Sequence, residues 1–343
     1  MQPENKSTAS TAVGLDIGTS RIVSARRNGN DYTFESQLNA FLEVPHTRLT
    51  QDLFERERIP HQVSGSEMIV FGNQATKFAN LFHRETRRPM RNGLLNPDEA
   101  QGLHFLRRIV SSLLEPEKAT KKAAQVCFSV PAPPLHPGGP ADDIRYHQAT
   151  LRQALTEFGV ALHSVDEGLA VVLAELEKEN FTGIGVSCGA GMCNVCLAYL
   201  SVPIFSFSIP KGGDFIDQSA AAVTGEIATR IRDIKEKSFH FNGYFTERHQ
   251  QAIGVYYDEM IQTLAAGLKE AFQQAKRAPR FDQPIPLVIA GGSALPAGFT
   301  KRFETVLKGT EFPIELSEVR LSADPLFSTA KGALVAALAG VTQ

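Results

Sequence analysis

An aspartate and a glycine turn lie side by side near the start of the chain. Asp16 ends an apolar, alternating segment, and Gly18-Thr19-Ser20 precede a second apolar segment that begins at Ile22. This pattern predicts a strand, a tight turn and a second strand. The glycine would let backbone N–H groups approach a phosphate, the hydroxyls could donate to it, and the carboxylate could hold Mg²⁺ through water. A plain β-turn beside a satisfied aspartate explains the same residues.

Further glycine turns follow apolar segments in the second half of the chain. Residues 189–191 read Gly-Ala-Gly between two apolar segments, and residues 291–293 read Gly-Gly-Ser after another. Small residues would let the backbone pass close to a phosphate or beneath a sugar and base. Short glycine motifs are weak signals, so each turn alone is equally well a plain hairpin or a strand-to-helix turn.

The cysteine spacing raises a metal site as an alternative. Cys188, Cys193 and Cys196 are close in sequence, but no second CxxC or CxxH pair accompanies them, which disfavours zinc. Cys193 and Cys196 lie three apart on a predicted strand and therefore point to opposite faces. The chain has four cysteines in 343 residues, too few for a disulfide scaffold, and we expect a reducing, cytoplasmic setting.

The composition is that of an ordinary globular protein with two domains or one large divided domain. Lys and Arg total 35 and Asp and Glu total 37, which gives a net charge of −2. Such a chain lacks the broad basic field of a non-specific nucleic-acid binder. No apolar run reaches the roughly 18 residues of a membrane span, and residues 1–11 have no amphipathic anchor. We therefore expect neither a nucleic-acid partner nor a direct membrane anchor.

The elements around these turns predict an α/β protein with two related halves. A strand, glycine turn and strand occur near residue 16 and again near residue 188, each followed by further strands and helices. Helices are expected at residues 97–114 and 215–234, and an irregular excursion or small subdomain at residues 43–66. Two such halves would face a cleft, with one turn on each side of its mouth.

In this order the motifs resemble those of the actin-like ATPase superfamily, which includes actin, heat-shock chaperones and sugar kinases. The similarity is greatest to MreB, the bacterial actin. Residues 88–93 are similar to its RP-x-x-x-G segment, residues 166–170 to its EEP-x-A helix start, residues 212–214 to its GGD segment and residues 323–332 to its ADPL…GA pattern. The resemblance implies an α/β, actin-like ATPase fold in which two α/β domains with mixed sheets flank a nucleotide cleft.

The resemblance also implies domain bounds. Domain I would span residues 12–165, with a small subdomain at about 38–85. Domain II would span residues 166–343, with a reduced small subdomain at about 219–284. A disordered tail would occupy residues 1–11.

Each site residue acquires a role through the same resemblance. Asp16 would organise Mg²⁺, and Glu167 would position the attacking water, since phosphoryl transfer rests mainly on positioning and charge stabilisation. A helix N-terminal carboxylate that satisfies the dipole is the alternative for Glu167. The residues that would bind ATP are Gly18, Thr19, Ser20, Gly189, Ala190, Gly191, Gly212, Gly213, Asp214, Arg232, Lys235, Gly291, Gly292 and Ser293.

Two positions of the family's second phosphate turn lose a polar group in this chain, and Ala190 also replaces the turn's middle glycine. The family usually has Asp where this chain has Ser187, and Thr where it has Met192. The chain thereby loses a carboxylate near Mg²⁺ and a hydroxyl that could donate to a phosphate. We expect nucleotide binding to be retained, with Mg²⁺ affinity or ATP hydrolysis weakened or lost.

The function implied by the resemblance is that of a cytoplasmic, MreB-like cytoskeletal protein. It would bind ATP with Mg²⁺ and assemble with copies of itself into filaments in a nucleotide-dependent way. One alternative is a non-polymerising adaptor or regulator that acts on another protein. A small-molecule kinase ranks third, because no separate substrate-binding insertion is evident.

Overall fold

The structure is a computed structural model that describes residues 12–82, 84–114, 125–136, 141–241, 243–275 and 281–340. The tail predicted at residues 1–11 lies outside the described residues. Within the described ranges, no helix combines the length and the apolar character needed to cross a membrane.

Two five-stranded mixed sheets share one strand plan. The strands of the first sheet are β1 (Ala12–Ile17), β2 (Arg21–Asn28), β3 (Asp31–Leu38), β9 (Gln125–Val130) and β10 (Ala161–Asp166). Those of the second sheet are β11 (Gly183–Cys188), β12 (Cys193–Tyr199), β13 (Val202–Ile209), β14 (Ile285–Ala290) and β15 (Leu316–Leu321). Their spatial orders are β3-β2-β1-β9-β10 and β13-β12-β11-β14-β15. In each sheet an antiparallel meander precedes two strands parallel to its first strand, which confirms the two related halves.

The predicted glycine turns occupy equivalent places in the two sheets. Residues 18–20 join β1 to β2, and residues 189–192 join β11 to β12. The Gly18 N–H donates to the Arg21 carbonyl at 2.9 Å, and the Gly189 N–H donates to the Met192 carbonyl at 3.0 Å. Both hairpins predicted from the sequence are therefore confirmed.

Helices cover the outer faces of both sheets and fill the space between them. Those on the first sheet are α3 (Gly102–Leu114) and α4 (Ala141–Thr156). Those on the second are α6 (Gly213–Thr224), α7 (Ala228–Lys237), α8 (Arg248–Gln274) and α9 (Phe299–Gly309). Between the sheets lie α5 (Glu167–Glu175) and α10 (Ser328–Ala339).

The two central helices touch because they have small residues where they meet. A Cβ on Gly332 of α10 would overlap the carbonyl oxygen of Ala170 on α5. A Cβ on Gly168 of α5 would lie 2.5 Å from the backbone nitrogen of Cys196 in β12. Both helices and both sheets contribute to the core at this crossing, so it joins the two halves.

Of the two alternatives for residues 43–66, an irregular excursion or a small subdomain, the irregular excursion is wrong, because most of the segment is regular structure. The elements of this region are β4 (Phe41–Pro45), α1 (Arg48–Arg56), β5 (His61–Ser64), β6 (Glu67–Phe71) and α2 (Asn73–Phe82). The strands form a small antiparallel sheet in the order β4-β6-β5. A capping box between Thr47 and Thr50 starts α1, and Phe54 is its buried anchor. The charged residues that follow are exposed and conceal the helical period.

The bounds of two other predicted helices also differ. The helix expected at residues 97–114 begins only at Gly102, because the Asn96 side chain accepts the Asp98 N–H at 3.2 Å and forms a turn. The helix expected at residues 215–234 is two helices, α6 and α7. Gly225 ends α6 with a φ of 75°, the left-handed conformation that favours glycine. A two-stranded ribbon of β7 (Met90–Arg91) and β8 (Leu94–Leu95) was not anticipated.

The crossing of the central helices predicts that Gly332→Ala is strongly destabilising. The added methyl group has to push α10 away from Ala170, and overpacking of this kind costs about 1–3 kcal/mol. Gly309→Ala is the matched control, because its Cβ would meet nothing within 4 Å at the end of α9. We expect the control to be neutral or slightly stabilising. Urea unfolding curves measure both changes, and equal midpoints for the two variants would contradict the packing argument.

Candidate functional site

A cavity of about 500 Å³ lies between the two halves, where the glycine turns face each other. Small-molecule sites commonly have volumes of roughly 300–1,000 Å³. Every site residue predicted from the sequence lines this cavity except Gly212. Gly212 is the N-cap of α6, and a Cβ on it would come within 2.6 Å of the Ala190 carbonyl oxygen. It therefore packs beneath the second turn, and the other predicted residues converge on one cavity.

The two glycine turns present backbone donors to this cavity. Within the described part of the chain, the N–H groups of Thr19, Ser20, Ala190 and Gly191 have no hydrogen-bond partner. A Cβ on Gly191 would overlap the Thr19 hydroxyl, so the turns approach each other closely. Unpaired N–H groups on two facing turns form a concave donor surface of the kind that binds anions.

Asp16 lies at the end of β1 and faces the cavity. The Ser129 hydroxyl, from the end of the neighbouring β9, donates to Asp16 Oδ1 at 2.7 Å. Burial raises the pKa of Asp16 to about 6, and the hydrogen bond from Ser129 opposes this shift. The carboxylate is therefore held in place by a neighbouring strand but lacks a compensating positive charge.

Glu167 faces Asp16 from the other side of the cavity. It is the first residue of α5, and the Ser187 hydroxyl of β11 donates to its Oε2 at 3.0 Å. Burial and, to a lesser extent, the charge of Asp16 raise the pKa of Glu167 to about 8, and the hydrogen bond from Ser187 opposes the shift. A glutamate that only satisfied the helix dipole would be ionised at neutral pH. The cavity thus contains two buried carboxyl groups that repel each other when both are charged.

The two departures from the family pattern have different structural consequences. Ser187 takes the place of a carboxylate and donates to Glu167. The Met192 side chain packs against Gly93, where a Cβ would lie 2.7 Å from Met192 Cγ. Gly93 in turn donates its N–H to the Thr19 hydroxyl at 2.9 Å. Met192 therefore supports the glycine turns by packing rather than by a hydrogen bond.

A network of charged side chains forms the opposite end of the cavity. Asp214 of α6 accepts from Arg232 of α7 at 2.9 Å and from Arg88 of the first half at 3.0 Å. Asp217 pairs with Arg232 at 3.1 Å and with Lys235 at 2.8 Å. Arg88 and Asp217 were not predicted as site residues. The three-residue spacing of Asp214 and Asp217 places both on one face of α6 and could have revealed Asp217.

The third glycine turn closes the cavity beside the second one. Gly291 has a φ of 95°, and the Ser293 hydroxyl donates to the Gly189 carbonyl at 2.8 Å. Leu295 and Leu326 line the cavity next to this turn and remain 46% and 40% exposed. This end therefore combines a glycine backbone with an apolar rim, which suits a flat, partly apolar ring.

The cysteines lie in the cores rather than in the site. Cys193 belongs to the core on the outer face of the second sheet, and Cys196 to the core between the sheets. This confirms that they point to opposite faces. In the described residues, no group of three or more His, Cys, Asp and Glu side chains could hold a metal ion. Burial raises the pKa of the Cys196 thiol to about 12, which disfavours the thiolate that a metal would require.

The raised pKa of Glu167 predicts how the stability of the ligand-free protein depends on pH. The folded protein retains a proton that the unfolded chain loses above the ordinary value of 4.5, until the pH passes about 8. The melting temperature should therefore fall as the pH rises from about 5 to about 8. Glu167→Gln removes this proton and should flatten the decline. Exposed Glu177 supplies the control, since Glu177→Gln should retain the wild-type slope. Equal slopes for all three proteins would contradict the assignment.

Solved structures share this architecture over nearly their whole length. A MamK double helical filament superposes with a TM-score of 0.71 at 16% identity and covers 97% of this chain and 99% of that chain. MreB 5 of Spiroplasma citri bound to AMPPNP gives 0.66 at 14% identity, covering 96% of both chains. The ethanolamine utilization protein EutJ from Carboxydothermus hydrogenoformans gives 0.53 at 18% identity, covering 94% and 88%. These similarities confirm the predicted actin-like fold.

A comparison with curated proteins finds no match. The family model for Volactin, in contrast, matches residues 11–337. This range includes both sheets, α5, all but the last two residues of α10 and every residue that lines the cavity. The chain therefore belongs to the Volactin family.

Proposed function

We propose that this protein binds ATP with Mg²⁺ between its two halves and assembles into filaments when the nucleotide is bound. The observation that supports this most directly is the pairing of unpartnered backbone donors with buried carboxyl groups in one cavity. Phosphate oxygens need donors, and the phosphates and carboxylates together need a cation. A non-polymerising adaptor with the same site is the alternative that the experiments below separate.

The phosphates would bind at the two turns. The N–H groups of Thr19 and Ser20 from one half, and of Ala190 and Gly191 from the other, would donate to them. Because each half supplies donors, a bound polyphosphate would hold the halves together. Two structures of this fold, the non-polymerising MamK A278D mutant and MreB 5 of Spiroplasma citri, are bound to AMPPNP, which supports the same class of ligand here.

The carboxyl groups fit a bound Mg²⁺. Burial raises the pKa values of both Asp16 and Glu167, and the charge of Asp16 adds to the shift of Glu167; a cation between them would offset both shifts. Mg²⁺, when bound, would neutralise charge on the phosphates. Asp16 is held for this role by Ser129, and oxygen donors of this kind suit Mg²⁺.

Hydrolysis by this site is expected to be slow. Glu167 can orient a water molecule only when its carboxylate is ionised, so it depends on the bound cation to offset the burial that raises its pKa. Ser187 adds a hydrogen bond to Glu167 but no negative charge. The chain therefore provides one carboxylate for water positioning and one for the cation, so we propose tight binding with weak turnover.

Two exposed apolar patches support head-to-tail assembly. The first consists of Val223 and Ile227, which are 49% and 62% exposed between α6 and α7. The second consists of Leu200 and Val202, which are 54% and 61% exposed at the turn between β12 and β13. Exposed apolar groups on a soluble protein often mark contact surfaces.

The long helix α8 separates these patches. Its first residue, Arg248, donates to the Val223 carbonyl at 2.7 Å, and near its end Phe272 packs against Phe205 of β13. With 27 residues it is about 40 Å long. Patches at opposite ends of one helix can meet in successive copies, and contacts of this type extend into filaments. The MamK double helical filament supports this use of the fold. The free thiols fit a cytoplasmic filament.

Calorimetric titration with ATP tests the nucleotide site. The wild-type protein should bind ATP with micromolar or tighter affinity when Mg²⁺ is present. Asp16→Asn should weaken that binding by at least about tenfold and should abolish the gain from Mg²⁺, because it removes the charge that faces the cation. Exposed Asp31 provides the control, and Asp31→Asn should bind as the wild type does. If ATP gives no heat of binding, either with Mg²⁺ or without it, ATP is not the ligand and the proposal is overturned.

Sedimentation tests assembly. With ATP and Mg²⁺ the wild-type protein should pellet, whereas Ile227→Glu and Leu200→Glu should each remain in the supernatant, because a charge would be buried at the contact. Leu49→Glu alters a side chain that is 79% exposed on α1 and should pellet normally. A wild-type protein that binds ATP but never pellets would favour the adaptor over the filament.

A further inference from the structure

A second cavity of about 1380 Å³ lies on the far side of Met192 from the first. It opens between the halves, with α4 and the ribbon of β7 and β8 on one side and α8 on the other. The Met192 side chain lines both cavities and forms the wall between them. The ATP site proposed above makes no use of this space.

The interior of the second cavity is largely apolar. Leu95, Leu103 and Ile144 line it from the first half, and Ala266 lines it from α8. Leu135 also contributes and belongs to the packed surroundings of the second sheet. Such a surface favours a ligand that loses little hydration on entry.

Charged groups at the rim are already paired within the chain. Arg91 pairs with Asp98 at 2.7 Å, and Lys211 pairs with Glu259 at 2.7 Å. Glu99 pairs with Arg87 at 2.8 Å, and Glu270 lies 3.5 Å from His136. A charged ligand would have to displace one of these pairs, so charge complementarity favours a neutral one.

One buried polar group in this cavity lacks a partner. His147 is 1% exposed, and its Nδ1 accepts the Leu95 N–H at 3.1 Å. Burial lowers the pKa of His147 to about 4, so the ring is neutral at physiological pH. Since Nδ1 accepts, Nε2 carries the hydrogen, and within the described residues it has no acceptor. An oxygen of a ligand could supply the acceptor that these residues do not.

We propose that the second cavity binds a neutral, mainly apolar small molecule whose oxygen accepts a hydrogen bond from His147 Nε2. Such a molecule would touch Met192 and thus rest against the second phosphate turn. The site is distinct from the cavity that holds the carboxyl groups. It would remain even if that cavity bound no nucleotide.

Prodan, a neutral naphthalene dye with a ketone oxygen, is a suitable probe. We expect saturable binding with a blue-shifted emission. In methyl-labelled protein, where five methionines give resonances, the Met192 methyl signal should move while those of buried Met68 and Met260 should not.

Ala266→Trp fills the cavity from an exposed position on α8 and should weaken dye binding by about tenfold or more. Gln273→Trp adds the same group on an exposed position of the same helix outside the cavity and should change little. His147→Asn retains an acceptor for the Leu95 N–H but removes the Nε2 donor, so we expect a loss of about threefold to tenfold.

Two results would overturn the proposal. The first is unchanged dye affinity in Ala266→Trp while thermal unfolding shows that the variant is folded. The second is displacement of the dye by ATP together with normal binding to Ala266→Trp, since this would locate the dye in the first cavity. Failure of ATP to bind would leave the comparison of wild type with Ala266→Trp intact, so the dye site is tested independently of the proposed nucleotide site.

Discussion

The close crossing of α5 and α10 determines most of the geometry described above. Gly332 lets α10 rest on the backbone of Ala170, and Gly168 lets α5 rest on β12. With side chains at these positions the helices would stand further apart, and so would the two sheets that they join. Because Glu167 begins α5, the same crossing fixes the position of its carboxyl group relative to Asp16 and Ser187.

Because the two halves repeat one strand plan, each half contributes its own set of residues to the site. The first half supplies one glycine turn and Asp16, whereas the second half supplies two glycine turns with Asp214 and Asp217, so residues of both halves line the cavity. One end of the cavity holds two repelling carboxyl groups, whereas the other holds arginine and lysine side chains already neutralised by Asp214 and Asp217. A ligand therefore meets an acidic end that needs a cation and a basic end whose charges are balanced.

The parts of the fold that the sequence predicts well depend on local chemistry. The turns at residues 18–20 and 189–192 follow from glycine between apolar, alternating segments, and the structure has both hairpins. The missed helix α1 depends on one buried anchor, Phe54, among exposed charges. The break at Gly225 depends on a single left-handed residue, which sequence cannot distinguish from a tolerated helical glycine.

Contacts between residues far apart in the chain could not be predicted from local sequence patterns. Arg88 and Asp214 are 126 positions apart in the sequence, and the residues around neither of them indicate that the two form an ion pair. The resemblance to actin-like proteins did predict that Asp16, Glu167 and the three glycine turns lie at one cavity. A shared topology indicates which residues far apart in sequence lie close together, whereas residue spacing alone does not.

The ion pair between Arg88 and Asp214 has a consequence for the kinetics of the cleft. When the halves separate, Arg88 can move into water, since it is already partly exposed, while Asp214 keeps its bond to Arg232. Opening therefore strands no buried charge, and the barrier that this pair adds is small. The pair therefore holds the halves together only weakly and can re-form without a rearrangement of the site. Added salt would shorten the lifetime of the ion pair.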